Sequence, residues 1–219
     1  MQNLTICKLI MLNFNCDNMK KIVVSILESF IIKHTKKLSK TDLEKIHYGL
    51  TTLYLFVSKL IIILWVAYFL NILVETIIFI IIYNVIRIPS FGLHATKSWI
   101  CLLASNLVFI ITPLFIKVFF IKDSLKLIIG LIAISLLHKN SPADTHKRPI
   151  VNRKVRTIYK LLTTFIAIVY VFLSIYIKEQ YISNILLISL IIQVVVTSPF
   201  TYKLFNLPYN NYKNYVKGG

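Results

Sequence analysis

Apolar residues run through this chain in long blocks, and the polar breaks between the blocks set out its elements. From Tyr48 to Ile86 nearly every position is Leu, Ile, Val, Phe, Tyr or Trp. A helix needs about 20 apolar residues to cross about 30 Å of hydrocarbon, so this block predicts two spans. Asn71 and Glu75 mark the turn between them. Further apolar runs are Trp99 to Phe120, Leu125 to Leu137, Ile158 to Ile177 and Ile182 to Phe200. The expected fold is therefore all-α, a polytopic membrane protein with about six transmembrane helices. The Leu125–Leu137 run is short for a span, which suits a tilted, interfacial or protein-covered helix. The spans read as uniformly apolar. Ahead of them, residues 20–47 have amphipathic helical spacing, with Ile22, Ile26 and Phe30 on one side and Lys21, Glu28 and Lys36 on the other. That pattern predicts a helix lying in the membrane interface.

Composition supports the membrane reading. The 219 residues are 57% hydrophobic and only 15% charged, and mean hydropathy is +0.76. A soluble domain is less apolar and more charged. Lys and Arg number 25 against 8 Asp and Glu. The cations gather before the first span and in a second cluster formed by Lys139, Lys147, Arg148, Arg153, Lys154, Arg156 and Lys160. The positive-inside rule places both clusters in the cytoplasm. Four spans separate them, so the two placements agree. The expected organisation is a cytoplasmic segment 1–47, a transmembrane domain 48–205 and a cytoplasmic tail 206–219. The segment 87–98 also falls on the cytoplasmic side, and the 121–126 loop, despite Lys122 and Lys126, on the other. Attraction to an anionic lipid bilayer accounts for the basic excess without a nucleic-acid partner. Residues 1–19 lack the continuous apolar core of a secretory signal peptide. Three cysteines (Cys7, Cys16 and Cys101) without framework spacing argue against a disulfide scaffold. No metal-ligand spacing or cofactor motif is present.

The candidate chemistry lies in Arg87-Ile-Pro-Ser-Phe-Gly-Leu-His-Ala-Thr-Lys-Ser-Trp-Ile-Cys101, a polar break between two apolar runs. His94 and Cys101 are the minimal parts of a cysteine nucleophile and its base. In one continuous helix they would lie about 10.5 Å apart along the axis, with His94 leaning away. A working pair needs the chain to bend. Pro89 and Gly92 break helix, and Thr96 or Ser98 can cap a new one. The expectation is a re-entrant turn at 88–95 that folds His94 back over a helix starting near Thr96. Cys101 would then sit near a helix start, where the dipole favours a thiolate. Lys97 would add positive potential, and Arg87 would anchor a carboxylate or a backbone carbonyl. The competing reading is an inert thiol and a solvated imidazole.

The segment resembles the accessory gene regulator B (AgrB) family of membrane peptidases in Gram-positive quorum sensing. That family's pattern is an Arg, a Gly-containing turn, His-Ala, and a Cys seven residues after the His. Here these are Arg87, Gly92, His94-Ala95 and Cys101. Ser141-Pro-Ala-Asp-Thr-His-Lys-Arg-Pro-Ile150 is similar to a second stretch of the family, and Tyr48-Gly49-Leu50 more weakly to a third. The likeness covers about residues 40 to 205, leaving 1–20 as an unusual extension. One departure is Phe91, where many members carry the first of two glycines. The resemblance implies a cysteine endopeptidase acting on an AgrD-like precursor peptide and helping to form a thiolactone or lactone ring. It implies catalytic roles for His94 and Cys101, and site-shaping roles for Arg87, Gly92 and Lys97. Asp144 is a candidate to orient His94, and a homodimer is one assembly compatible with the sequence. A small transporter or peptide exporter is the alternative function.

Overall fold

In a computed structural model of the chain, the described residues are 16–35, 39–93, 103–116, 119, 121–145 and 149–213. They form helices α1 (Cys16–His34), α2 (Lys40–Phe69), α3 (Leu73–Ser90), α4 (Leu103–Ile116), α5 (Asp123–Asn140), α6 (Arg153–Tyr176), α7 (Gln180–Thr197) and α8 (Pro199–Leu204). No named strand occurs among them. The protein is an all-α membrane protein. Four of the helices, α2, α3, α6 and α7, are long and apolar enough to cross a membrane. The other two expected spans fall on α4, a shorter apolar helix, and on α5, whose 18 residues include Asp123, Lys126 and Lys139.

Two compact units divide the chain, residues 1–62 and 63–219. In the first, the helix expected over 20–47 is two helices. The break has a local cause: Ser39 caps α2. The Asp42 N–H donates to Ser39 Oγ at 3.2 Å, while the Ser39 N–H donates back to Asp42 Oδ2 at 3.2 Å. This reciprocal pairing satisfies donors that a helix start leaves open. Glu28 Oε2 and His47 Nδ1 pair at 3.1 Å across the two helices.

In the second unit, Asn71 (φ 54°) makes the expected turn between α2 and α3. Helix α3 buries Thr76, Phe79, Tyr83 and Ile86, a stripe at helical spacing. It packs with α5 and α6 around α7, which is buried along most of its length. The core joins Ile86, Leu137, Ala167, Val171, Leu186 and Leu190. Close approach of α5 and α6 depends on Gly130, where a Cβ would come within 2.6 Å of the Val171 side chain. Small residues at helix crossings are a common device where lipid removes the hydrophobic drive between helices. Elsewhere large apolar side chains face outward, among them Trp65, Phe165, Phe172 and Ile168, as a lipid-facing surface requires.

Helix α7 is not uniformly apolar as the sequence reading held. Ser183, Asn184, Ser189, Gln193 and Thr197 are all buried along it. At one end of the unit, buried Lys126 donates to Ser183 Oγ at 2.7 Å and to Asp123 Oδ1 at 3.1 Å. The opposite end carries the C-terminus of α3 and the candidate site.

Candidate functional site

Helix α3 persists three residues into the expected 88–95 turn and stops at Ser90. Pro89 lies inside its last turn, where losing one N–H costs little of the ladder behind it. The chain then turns sharply through Phe91 (φ 56°, ψ −137°) and Gly92 (φ 118°). Gly92 is required here for two reasons. Its φ is open to glycine alone at low cost. A Cβ would also meet the Arg87 guanidinium, Val196 Cγ1 at 2.9 Å and the Val196 carbonyl at 3.0 Å.

Arg87 supplies the inner brace. Its Nη1 donates to the Phe91 carbonyl at 2.5 Å and its Nη2 to the Leu93 carbonyl at 2.9 Å. Gln193 Nε2 on α7 donates to the same Phe91 carbonyl at 2.8 Å. The guanidinium fork is thus turned onto its own chain, in the planar geometry that suits Arg and not Lys. The backbone donors are also engaged. The Gly92 N–H donates to the Ala143 carbonyl at 2.9 Å, and the Leu93 N–H to the Val196 carbonyl at 3.0 Å. The Ala143 N–H returns a bond to the Ser90 carbonyl at 3.0 Å, which makes an isolated parallel bridge between Phe91 and Ala143.

The partner segment, residues 141–145, follows α5 and contains a cis Ser141–Pro142 bond. Asp144 is 1% exposed. Its two oxygens accept the Asn211 N–H at 3.1 Å and the Tyr212 N–H at 2.8 Å. This carboxylate therefore ties residues 209–213 to the site; His94, the partner expected for it, lies outside the described residues. Tyr202 donates to the carbonyls of Ala143 at 3.2 Å and Asp144 at 3.3 Å. Burial, against the lowering effect of Arg87, pushes the Tyr202 hydroxyl well above its ordinary pKa and keeps it a donor.

Of the site residues expected from sequence, Arg87 and Gly92 meet in this turn. His94, Lys97 and Cys101 lie outside the described residues. The helical path ends before His94, so one straight helix over 88–101 is excluded. Gln193 and Asp144 are the structural parts that sequence reasoning left without their observed roles. An amide inside an apolar span was the available signal for Gln193, because such groups need a partner at membrane depth. No group of three or more His, Cys, Asp or Glu suited to a metal occurs among the described residues.

Comparison with known proteins gives a consistent result. Residues 20–197 match the family model described as accessory gene regulator B. An AgrB-like protein of Clostridium acetobutylicum is 27% identical over 185 residues, covering 84% of this chain and 88% of the relative. Accessory gene regulator protein B of Staphylococcus aureus strain MW2 is 30% identical over 158 residues, 72% of this chain and 83% of the relative. An AgrB-like protein of Listeria monocytogenes HCC23 is 28% identical over 173 residues, 78% and 84% of the two chains. No solved structure matches.

Proposed function

Because the chain belongs to the accessory gene regulator B family, a role in processing the peptide of that quorum-sensing system follows, and we propose that it does so as a membrane-embedded cysteine endopeptidase. The substrate is an AgrD-like precursor. Cys101 is the nucleophile and His94 its base. The observation that supports this reading is the braced turn at Phe91–Gly92, which ends α3 at Ser90 and so takes the chain off that helix just before His94.

The His94 imidazole accepts the Cys101 thiol proton, and the thiolate attacks a peptide carbonyl. His94 then gives that proton to the leaving amine, and the C-terminal tail of the precursor departs. The acyl group remains on Cys101 as a thioester. A thiol or hydroxyl within the bound peptide attacks it, passing its proton through His94 back to the Cys101 sulfur, and a thiolactone or lactone ring is released. Exchange of one thioester for another is nearly balanced, whereas water would hydrolyse the intermediate irreversibly. A site at the membrane interface favours ring closure by limiting water. Arg87 and Gly92 act by shaping the turn, and Lys97 supports the thiolate. The basic segments face the cytoplasm in this proposal.

The test is processing of the cognate precursor by purified enzyme in vesicles. Cys101→Ser and His94→Ala should both abolish cleavage while the protein still inserts. Hydroxylamine should release an acyl group from the wild type and none from Cys101→Ser. Undiminished processing by Cys101→Ser would dispose of the peptidase and leave the exporter. For orientation, a cysteine placed at Lys154 should resist membrane-impermeant reagents in intact cells, and labelling there would reverse the topology.

A further inference from the structure

At the end of the bundle that carries the Phe91–Gly92 turn, a cavity of about 360 Å³ opens between the C-terminus of α5, the first turns of α6 and the segment after α8. Lys139, Ser141, Arg156, Lys160, Tyr209 and Tyr212 line it, and among the described residues no carboxylate does. Arg156 is held rigidly. Its guanidinium carbon lies 3.6 Å from the centre of the Tyr212 ring, and its Nη2 reaches Asn210 Oδ1 at 3.4 Å.

Two polar atoms at this cavity are left over. Arg156 Nη1 is buried and has no hydrogen-bond partner among the described residues. Ser141 is 4% exposed, and its Oγ has none either. Buried polar atoms are costly when unpaired, and such exceptions point to a missing partner. One tetrahedral oxyanion satisfies a guanidinium N–H and a hydroxyl together, in a field made positive by Lys139 and Lys160.

The surroundings of the cavity identify what the anion is attached to. Ile158, Leu161 and Phe200 are 61%, 59% and 73% exposed. They neighbour lining residues Lys160 and Pro199 in sequence, on helices that meet lipid. A polar pocket at a span end flanked by outward-facing hydrocarbon suits an amphiphile. We infer that this cavity binds the phosphate of an anionic phospholipid headgroup. Arg156 and Ser141 donate to the phosphate, and the acyl chains lie along the α6 and α8 surface. The consequence reaches the candidate site. Tyr212 stacks on Arg156 while its N–H is held by Asp144, and Ala143 beside Asp144 pairs with Gly92. A bound headgroup fastens the segment against which the turn is built. The inference does not depend on the peptidase reading.

The experiment uses the full chain purified in a neutral detergent, titrated separately with phosphatidylglycerol, phosphatidylcholine, inorganic phosphate and a tri-glutamate peptide. Thermal unfolding and retention of lipid in native mass spectra are the readouts. Phosphatidylglycerol should raise the midpoint saturably, and the other three should not. Lys139→Gln and Lys160→Gln should each weaken phosphatidylglycerol binding about fivefold. In the lipid-free protein Lys139→Gln should lower the midpoint only by the small loss of a cation at the α5 C-terminus, and Lys160→Gln should leave it unchanged, because the Lys160 ammonium has no described partner to lose. Lys178→Gln, beyond the far end of α6, should bind as the wild type does. Equal shifts from phosphatidylcholine, or wild-type binding by the double lysine variant, would overturn the proposal. So would inorganic phosphate reproducing the shift, which makes the site one for a soluble anion, or tighter binding of the peptide.

Discussion

At most helical or extended positions alanine is more stable than glycine, and at Phe91 the order should reverse. Phe91 has φ 56° and ψ −137°, a region in which side-chain-bearing residues are strained by about 1–3 kcal/mol. The position is nonetheless fixed from several directions, by the N–H bond to Arg87 O and by Arg87 and Gln193 on its own carbonyl. The ring gives some compensation, lying edge-on to Tyr159 at 5.2 Å between centroids. Phe91→Ala removes that ring and keeps the strain. It should cost about 0.5–1.5 kcal/mol for the aromatic pair and roughly 1 kcal/mol for the half-buried apolar area. Phe91→Gly loses the same ring but releases the strain, less about 0.5–1 kcal/mol for glycine's greater freedom in the unfolded chain. The glycine variant should therefore be the more stable by about 1 kcal/mol.

Unfolding of both variants in one detergent, by heat or by increasing denaturing detergent, makes the comparison. Leu161, exposed in the middle of α6, is the internal control, where alanine should exceed glycine by about 1 kcal/mol. If alanine equals or exceeds glycine at position 91 while the control behaves, the backbone there is not strained. The account of the turn as a conformation imposed by its braces would then be wrong.

Three further outcomes follow from the geometry. Gly92→Ala should destabilise by about 2–4 kcal/mol through its φ and the collision with Val196, read as a lowered unfolding midpoint. Ser183→Ala should cost about 1–3 kcal/mol, because it removes a buried partner of the Lys126 ammonium, whereas Ser135→Ala on exposed α5 surface should be near neutral. Asp42 is held below the usual carboxylate pKa chiefly by its side-chain bond with Ser39. Its contribution to the start of α2 is therefore complete above that usual value and is lost as pH falls through the lowered one. Ser39→Ala should let Asp42 titrate at higher pH by NMR and weaken hydrogen-exchange protection at the α2 start.

The helices were legible because runs of apolar residues record membrane spans directly; of the two residues expected to mark the turn in the first long run, Asn71 makes it and Glu75 lies in the first turn of α3. The break between α1 and α2 was not read, since the amphipathic pattern runs through it. Its signal was the Ser39-x-x-Asp42 pair, which competes with helix continuation through a local cap. The end of α5 was set too early because Lys139 and Asn140 looked like loop. A lysine at a helix C-terminus is in fact favoured by the dipole. In the site, Gly92 and Arg87 were readable from local chemistry. Gln193 was not, because its role depends on bringing residues 102 positions apart together. The same holds for Asp144, whose partners at 211 and 212 follow three intervening helices.

That long-range part explains why so many donors converge on so short a turn. A chain that leaves a helix near the end of a membrane span exposes carbonyls and N–H groups that lipid cannot satisfy. Around Phe91–Leu93 each such group found its partner inside the protein, from Arg87, Gln193, Ala143 and Val196. The requirement to satisfy the backbone thereby fixes its position. Leu93 is held at both its N–H and its carbonyl, so the bond to His94 leaves from an anchored residue. Loosening either anchor, as Arg87→Lys would by losing the fork, should lower processing more than it lowers insertion or folding. A loss of equal size in folding would assign Arg87 to the scaffold alone.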